Sequence, residues 1–557
     1  MATVQVALPI ARDAPPLADD EALREAVARA AGLDVGDLGA VRVERRSLDA
    51  RAGRRPQWVL RCRYGTRQQA LPPDELPPLL RPRRLARPAH GLRPIIVGSG
   101  PAGLFAALQY ADFGVQCLLL ERGAEVETRN LRARDLRVHG HLDAETNLCF
   151  GEGGAGTYSD GKLYTRGKSE RVREVYERLC ALGIDRSILV DAHPHVGTNR
   201  LIPMMPRLRH ALREAGHELR FDARVTDLLV RSSVSQHQVH GVVLEDGEVI
   251  EGGPVLLAAG HSARDVYRML ARRGVAMERK DFAIGARIEH PQALIDEAQL
   301  GGLAGWPSVG AAEYFVACQV PTGRGVRGAY SFCMCPGGLV LPTPTQLGHL
   351  NVNGMSNEGR NSGIANAALV LQVPAEEAYL DRPGDLDDDP ELGLHVAGGA
   401  LLGIALQAAL ERRAYVAGGG GYRAPAQRLS DALAGRESTD LPRTTYRPGL
   451  QPTAATSILP DRLWRPLAQA AVAIDRRQLR GYVSHEATLI PVETTTSSPV
   501  RVLRGADRQS VSHAGLYPCA EGAGYAGGIV SSAIDGMRSA LASLAASGLC
   551  DTSEVER

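Results

Sequence analysis

A glycine turn between a strand and a helix, RPIIVGSGPAGLFAALQYADFG (residues 93–114), constrains the fold of this 557-residue chain more than any other feature. Gly98, Gly100 and Gly103 form the pattern G-x-G-x-x-G. The first glycine permits a tight turn, the second lets the backbone approach a pyrophosphate, and the third lets the helix pack on the strand. The free amides and the dipole of such a helix bind phosphate groups. The pattern therefore predicts a nucleotide-binding βαβ unit.

A carboxylate follows the next strand of this unit. Residues 118–120 are LLL, and Glu121 stands 23 positions after Gly98. A carboxylate at the end of the second strand is placed to accept both ribose hydroxyls of an adenosine. Together with the glycine turn, this residue predicts a dinucleotide site.

Two later segments favour FAD over NAD. PVLLAAG (residues 254–260) resembles a buried strand ending in small residues, and GLYPCAEGAGYAGGIV (residues 515–530) carries Glu521 and a second glycine turn before a helix. An NAD site needs only the local unit, whereas flavoproteins of the glutathione-reductase type close the site with distant segments. We expect Glu521 to bind the ribityl hydroxyls and the amides of residues 527–529 to stabilise negative charge at the flavin N1/O2 edge. No second G-x-G-x-x-G with its own acid is present, so NAD(P)H is expected only as a transient electron donor at the flavin face.

A third glycine cluster, GEGGAGTYSDGKL (residues 151–163), lacks the P-loop pattern because Leu163 follows Lys162. We predict that it wraps the pyrophosphate and passes the flavin ring. The predicted cofactor-binding residues are Gly98, Ser99, Gly100, Pro101, Ala102, Gly103, Glu121, Arg122, Gly153, Gly154, Thr157, Val225, Ala259, Gly260, Glu521, Gly527, Gly528 and Ile529.

Four polar residues are expected near the flavin ring from their places in the motifs: Lys162, Arg360, Tyr525 and His261. The first three are our catalytic candidates. Arg360 could orient a substrate carboxylate, and Tyr525 could stack or donate a proton. Each also has a structural interpretation, as a helix cap, an ion pair, a core tyrosine and a turn histidine. No side-chain acid or base is required beyond orientation, since the flavin N5 accepts the hydride.

Cys333 and Cys335 form a C-x-C motif. It is either a redox pair beside the flavin or two buried cysteines. The second interpretation is favoured, because adjacent-but-one cysteines form strained disulfides and buried cysteine is a common core residue. The nine cysteines show no zinc-like spacing, so no metal is expected.

The length and texture of the chain predict several parts around more than one core. The predicted fold is α/β: a Rossmann-type FAD-binding domain of glutathione-reductase-like topology, with an inserted mainly β substrate domain and a small N-terminal α+β module. The predicted parts are a half ferredoxin-like module (1–70), a Pro/Arg-rich linker (71–93), the FAD-binding domain (94–280 and 501–557) and the substrate-side insert (281–500). Helices are predicted at 20–31, 169–182 and 205–215.

Charge and composition argue against several classes of partner. The net charge is +1, which gives no global electrostatic attraction to nucleic acid or membrane. Neither a signal peptide nor an apolar run of about 20 residues is present, so a cytoplasmic protein with a small-molecule substrate and no membrane partner is expected. Between Arg42 and Arg93, fourteen arginines face four acids, which leaves an RNA-docking surface open. A solvated face plus a basic linker is favoured, because stacking aromatics are scarce there.

Over residues 40–540 the chain resembles a bacterial family of uncharacterised FAD-dependent dehydrogenases, distantly related to HI0933-like and geranylgeranyl-reductase-like flavoproteins. The matching segments are RSLDARAG near Ser47, GSGPAG at Gly98, NLCFGEGGAGTYSDGKL at Asn147, FAIGARIEHPQ at Phe282, SFCMCPGG at Ser331, NGMSNEGRNSGIANAAL at Asn353, AGGGGYRAPAQRL at Ala417, TSSPVR at Thr496 and CAEGAGYAGGIVSSAIDGMR at Cys519. The resemblance implies FAD, the basic N-terminal module and the inserted domain, but no particular substrate.

The chain departs from the family's pattern in the predicted substrate-side part. Thr495 stands where an Arg is expected, LVLPTPTQLG (residues 339–348) replaces a run of small residues, and Ile490 and Pro491 replace a usual glycine. We therefore hypothesise that the chain keeps the family's flavin and acts on a changed substrate, in a specialised biosynthetic step. The predicted function is hydride transfer between an organic small molecule and flavin N5. The alternatives are a single-component flavin monooxygenase and a flavin-bound protein that binds or modifies RNA.

Overall fold

The computed structural model describes residues 2–13, 20–50, 55–86, 91–165, 167, 169–233, 237–378 and 399–556. Its N-terminal part is a three-stranded antiparallel sheet with one helix, Glu21–Ala31. The strands are Ala2–Pro9, Gln57–Thr66 and Leu38–Asp49 in spatial order. Leu23 and Val27 are fully buried on the helix face that covers the sheet, as its amphipathic sequence predicts.

Several arginines of this module form ion pairs. Glu44 lies between Arg61 and Arg63 on the sheet, at 3.5 and 2.6 Å. Arg46 binds Asp191 at 2.6 Å, and its backbone bonds residues 190 and 192, which fixes the module on the next part of the chain. This pairing agrees with a charged, solvated face.

The nucleotide-binding part is built on a five-stranded parallel sheet. Its spatial order is Leu516–Pro518, Val255–Leu257, Ile95–Val97, Leu118–Leu120 and Glu218–Arg220. In chain order this is 5-4-1-2-3, the doubly wound order in which ligands bind outside the carboxyl ends of the strands where the order reverses. That switch point lies between Ile95–Val97 and Val255–Leu257.

Both faces of the parallel sheet are covered. Four helices pack on one face: Pro101–Asp112, Arg171–Ala181, Thr198–Glu214 and Ile529–Ala546. The other face packs on the helix Arg264–Arg272 and on an antiparallel meander. The strands of this meander are Val225–Ser232, His237–Leu244 and Val249–Glu251, with His513–Ala514 parallel to the second. Covered faces explain why the three central parallel strands are short runs of Ile, Val and Leu.

The helix predicted at 205–215 begins seven residues earlier, at Thr198. Pro203 and Pro206 lie inside it, and each removes one backbone hydrogen bond. Leu201, Met204 and Leu208 are buried in the core on one face of this helix. Tertiary packing therefore overrides the local preference of the two prolines.

Residues 281–500 contain a seven-stranded sheet. Its spatial order is Ala317–Thr322, Gly325–Cys335, Ile364–Val373, Phe282–Pro291, Thr488–Glu493, Ala424–Arg428 and Leu450–Pro452. The pairs are antiparallel except the last. The helices Leu402–Ala417 and Asp461–Arg477 contribute buried side chains to the core of this sheet. The short ladder of Met277–Arg279 with Val500–Val502 joins the entry and exit of the segment.

The other described elements are shorter or peripheral. They are the helices Val126–His139, Gln292–Leu300, Leu429–Leu433 and Ser553–Glu556, the strand pair Leu339–Pro342 and Val352–Met355, and the 3₁₀ turns Val35–Asp37, Ala155–Tyr158, Arg186–Leu189, Gly301–Leu303, Ala375–Glu377 and Ala455–Ser457. No helix in the described ranges is long and apolar enough to cross a membrane.

Gly103 lets the first helix approach the first strand. A Cβ at this position would lie 1.9 Å from the carbonyl oxygen of Gly98. We expect Gly103→Ala to destabilise the protein by about 1–3 kcal/mol through overpacking, seen as a lower Tm. Gly36→Ala is the control, because no atom lies within 4 Å of its Cβ position. Equal Tm values for the two variants would contradict this packing role.

Candidate functional site

A cleft of about 460 Å³ opens at the switch point of the parallel sheet. Its walls come from Gly98–Ala102, the loop after Glu121, residues 154–164, Ala258–Ala263 and the turn before Ile529. Residues 332–333, 353 and 495–496 of the inserted part close the other side. The volume lies in the range of small-molecule and cofactor sites.

Two helices begin at this cleft without a side-chain cap. Gly100 is the N-cap of Pro101–Asp112, and Gly528 is the N-cap of Ile529–Ala546. The first backbone amides of a helix have no partner within the helix, and they attract negative charge. The two N-termini give the cleft a backbone surface suited to phosphate and to other anionic groups.

The glycines of the cleft leave their backbone open. Positions Gly260, Gly527 and Gly528 line the cavity, and a Cβ built on any of them would meet no atom within 4 Å. Gly154 packs so tightly that its Cβ would lie 2.8 Å from the Cα of Gly100. Side chains are thus excluded where the two glycine loops meet, and a ligand can approach the main chain closely.

The Glu121 carboxylate holds these loops together. Its Oε2 accepts from the Ser99 amide and hydroxyl, both at 2.8 Å, and its Oε1 accepts from the amides of Gly123 at 3.0 Å and Gly151 at 2.9 Å. Glu121 lines the cleft but is 5% exposed. Four donors match the number of lone-pair sites on a carboxylate. Binding of both ribose hydroxyls by Glu121 stays a prediction, and it requires two of these donors to give way.

A network of ion pairs lies beside Glu121. Arg122 binds Glu145 at 2.8 Å and Asp265 at 2.9 Å, and its guanidinium carbon lies 4.2 Å from the centre of the Phe150 ring. Arg224 reaches the same two carboxylates at 3.1 and 3.2 Å. The two arginines and the two carboxylates are therefore positioned by their mutual ion pairs.

A second polar cluster lies at the opposite end, around Lys162. The Lys162 ammonium donates to the carbonyl oxygen of Met334 and lies 3.8 Å from Asp160 Oδ2 and 4.0 Å from Glu313 Oε2. Burial alone would lower the pKa of Lys162, but the charges of Glu313 and Asp160 raise it above the ordinary lysine value. Lys162 therefore stays protonated at neutral pH.

Asp160 connects this ammonium with His195 and Ser356. The Ser356 hydroxyl donates to Asp160 Oδ1, and His195 Nε2 lies 3.4 Å from the same oxygen. Asp160 is 1% exposed, and its Oδ2 has no hydrogen-bond partner. Burial would raise the pKa of Asp160, but the hydrogen bond with His195 and the charge of Lys162 hold it below the usual value. Both members of the Asp160–Lys162 pair are charged.

His261 lies on the wall between the two loops. Its Nε2 is 3.1 Å from the carbonyl oxygen of Thr495, and its Nδ1 is 3.5 Å from Glu521 Oε1. Burial would lower the pKa of His261, yet the Glu521 charge and hydrogen bond raise it. His261, Glu521 and Thr495 all line the cleft.

Most of the predicted cofactor-binding residues line the cleft. They are Gly98, Gly100, Pro101, Ala102, Glu121, Arg122, Gly154, Val225, Ala259, Gly260, Glu521, Gly527, Gly528 and Ile529. Ser99, Gly103, Gly153 and Thr157 are not lining residues. Ser99 is buried against Glu121, Gly103 packs on Gly98, the Gly153 amide donates to the Ser99 carbonyl, and the Thr157 hydroxyl donates to the Glu152 carbonyl. These four maintain the shape of the loops.

Of the three catalytic candidates, Lys162 alone lines the cleft. Arg360 Nη2 binds Glu313 Oε1 at 2.5 Å, so this nitrogen of the guanidinium is already paired with a carboxylate of the protein. The Tyr525 ring lies against Arg504, whose guanidinium carbon is 3.8 Å from the ring centre. Neither Arg360 nor Tyr525 is among the residues that line the cleft. Their catalytic roles stay predictions.

The sequence did not point to Asp160, His195, Ser356 or Glu313. Asp160 lies within the glycine cluster two residues before Lys162, and this spacing was a usable signal. The other three come from separate segments and match no local motif. Their proximity is a product of the tertiary fold.

The Lys162 cluster predicts an order of lysine titration. Burial lowers the pKa of Lys280, so Lys162 should titrate at higher pH than Lys280 in one protein. We expect Asp160→Asn to lower the pKa of Lys162, because one of its two anionic neighbours is lost. ¹³C NMR after reductive methylation separates the signals, since the sequence has three lysines. Glu358→Gln, which removes the partner of Arg200 on the surface, is the control. An unchanged Lys162 titration in Asp160→Asn would contradict the coupling.

Two solved structures match this chain at low similarity. CtdE in complex with FAD is 10% identical to this chain. The match covers 81% of this chain and 84% of the CtdE chain, with a TM-score of 0.30. A GidA-related protein from Thermus thermophilus is 18% identical, covers 35% and 73%, and has a TM-score of 0.22.

Sequence comparison gives a closer relationship. Residues 281–496 match the family model "FAD-dependent protein, C-terminal domain-like", and residues 3–63 match a "Domain of unknown function (DUF8436)". A protein of Clostridium beijerinckii (strain ATCC 51743 / NCIMB 8052), described as "Uncharacterized protein", is 38% identical over 448 residues, which are 80% of this chain and 79% of the relative. The chain therefore belongs to the same family as this relative, a family of FAD-dependent proteins.

Proposed function

We propose that the protein is an FAD-dependent oxidoreductase that transfers a hydride between an organic small molecule and its cofactor. One observation carries the proposal: a single cleft joins an open glycine backbone with two helix N-termini to a cluster of buried charged side chains. The first half suits a dinucleotide, and the second suits chemistry on a polar substrate.

The adenosine half of FAD would lie along Glu121, Arg122 and Val225 in this proposal. The Ser99 hydroxyl can rotate away from Glu121, which frees one carboxylate position for a ribose hydroxyl. The pyrophosphate would meet the amides of Gly100 and Ala102 and the facing loop at Gly154. No side chain obstructs that approach, since both loops present glycine there.

The flavin half would lie towards Lys162 and the turn before Ile529. Bound FAD supplies hydride acceptance or donation at its N5 atom. The Gly528 turn places an uncapped helix N-terminus at the cleft, and Lys162 adds a full positive charge. Both favour negative charge at this end, and they would therefore stabilise a reduced, anionic cofactor.

The proton chemistry would fall to His261. Lys162 and Asp160 keep their charges at neutral pH, because each raises the stability of the other's ionised form. The Glu521 carboxylate raises the pKa of His261 above the ordinary imidazole value, which favours the protonated ring. Lys162 would orient an anionic or carbonyl oxygen, and His261 would exchange the proton.

Substrate choice would depend on the wall contributed by the inserted part. Thr495 lines the cleft, and its hydroxyl accepts a hydrogen bond from Asn351 at 2.8 Å. The family's pattern predicts an arginine at position 495. Because this chain has the short, hydrogen-bonded Thr495 there, position 495 offers no positive charge that could bind a substrate carboxylate. This supports a changed substrate, and a specialised biosynthetic step stays our hypothesis. The distant relationship to geranylgeranyl-reductase-like flavoproteins also stays a prediction.

Cofactor retention tests the nucleotide half of the proposal. Gly527→Val places a branched side chain in the open space of the cleft, and we expect the FAD content of the purified protein to fall by more than tenfold. Gly302→Val is the matched control, because its Cβ position is equally open but lies outside the cleft lining. FAD absorbance per mole of protein gives the result. Full FAD content in Gly527→Val would refute this placement.

The redox properties test the other half. We expect Lys162→Met to lower the reduction potential of bound FAD by about 30 mV or more, since a nearby cation stabilises the reduced form. Lys280→Met, a lysine outside the cleft lining, should change it less. Potentials are measured by anaerobic dye equilibration.

Anaerobic reduction of the holoprotein identifies the direction of the reaction. Bleaching of the flavin by organic acids, alcohols or amines would support a dehydrogenase. Rapid bleaching by NADPH alone would favour a reductase or a monooxygenase.

In the potential measurement, an equal reduction potential of bound FAD in wild type and Lys162→Met would contradict the placement of Lys162 next to the flavin.

A further inference from the structure

Cys333 and Cys335 lie at an irregular point of the seven-stranded sheet. The strand Gly325–Cys335 pairs with Ile364–Val373, and the register shifts between Phe332 and Cys335. Cys333 has a φ of 45°, a left-handed conformation that non-glycine residues seldom adopt. This bulge turns Cys333 onto the cleft wall, while Cys335 remains fully buried behind it.

The two thiols are neighbours within this bulge. The Cys335 sulfur lies 3.3 Å from the carbonyl oxygen of Cys333, and its single S–H can donate either to that oxygen or to the Cys333 sulfur. The Cys333 side chain lines the cavity, and the Cys335 side chain is fully buried.

Two positive groups and one negative group act on the Cys333 sulfur: Arg287, Lys162 and Asp160. The hydrogen bond from Cys335, followed by the charges of Arg287 and Lys162, lowers the pKa of Cys333 to about 6, although burial and Asp160 oppose the shift. Arg287 also donates to the carbonyl oxygen of Cys333 at 2.7 Å.

The Glu493 carboxylate is another charged group near the two thiols. It binds Arg287 at 2.6 Å, and burial raises its pKa to about 7. The pKa of Cys335 is raised, by its hydrogen bond with Cys333 and by burial. Cys333 is thus a thiolate at neutral pH, and Cys335 stays a thiol.

We propose that Cys333 and Cys335 form a dithiol–disulfide redox pair that opens onto the cleft, with Cys333 as the attacking thiolate and Cys335 as the resolving thiol. Its substrate class is a small disulfide. Cys333 lines the cleft, and the fixed cations Arg287 and Lys162 stabilise the thiolate there. The proposal does not depend on the flavin reaction, since it concerns groups of the chain alone.

The exchange takes place in two balanced steps. The Cys333 thiolate attacks one sulfur of the disulfide, so that a mixed disulfide forms, the original S–S bond breaks and one thiolate leaves. Cys335 then loses its proton to the departing thiolate and attacks the Cys333 sulfur, which releases the second thiolate. The pair loses two electrons, and the small disulfide is reduced to one thiol and one thiolate, which takes a proton from water.

Mass spectrometry of FAD-loaded protein treated with glutathione disulfide at pH 7 tests the proposal. We expect wild type to lose two hydrogens between Cys333 and Cys335 without added glutathione mass. Cys335→Ser should retain one glutathione on Cys333, because the resolving thiol is absent. Cys333→Ser should show neither product, and Cys318→Ser, on another strand, should behave as wild type.

Alkylation provides an independent measure that does not require the variants to fold. In wild type, iodoacetamide should modify Cys333 with a midpoint near pH 6 and, at pH 7, about tenfold faster than Cys318, whose pKa burial raises. A midpoint for Cys333 above pH 8, or Cys335→Ser without the glutathione adduct, would overturn the proposal.

Discussion

One buried carboxylate holds the nucleotide-binding loops of this protein in place. Glu121 accepts hydrogen bonds from the turn at Ser99, from Gly123 and from Gly151, and so joins three separate segments. A charge removed from water is tolerated only when donors surround it, so the four bonds are mutually dependent. Arg129, also fully buried, donates to the carbonyl oxygens of Asn147, Leu148, Gly151 and Glu152 and so holds the same loop from behind. The cleft has a defined wall because these two side chains fix it.

The site has two halves because the chain leaves the parallel sheet after Val255–Leu257 and returns at Leu516–Pro518. These strands are neighbours, so the departing and returning chain both pass the switch point. The ladder of Met277–Arg279 with Val500–Val502 holds the ends of the intervening part together. Residues such as Asn353 and Thr495 are consequently brought to the same cavity as Gly98, although hundreds of positions separate them.

Local motifs were predictable from the sequence, and side-chain partners were not. The first glycine turn, its helix and the parallel strands follow from short-range physics: a tight turn, a free amide and an apolar run. The helix at Thr198 begins earlier than its prolines suggest because its buried face decides its length. Tyr525 is expected near the ligand from its place before a glycine turn, and the stacking of its ring against Arg504 is a contact that no motif predicts. A motif gives the path of the backbone, and long-range partners determine which way each side chain points.

The Lys162 end of the cleft shows why these partners matter for chemistry. The pKa of Lys162 is raised by Glu313 and Asp160 and, more weakly, by Cys335 and Cys333. The Cys333 thiolate also raises the pKa of Glu493. Conversion of the two thiols to a disulfide would remove that negative charge, and the pKa values of Lys162 and Glu493 would both fall. The ammonium and the thiolate are therefore parts of one electrostatic unit, in which the oxidation state of the cysteines alters the charge that faces the cleft.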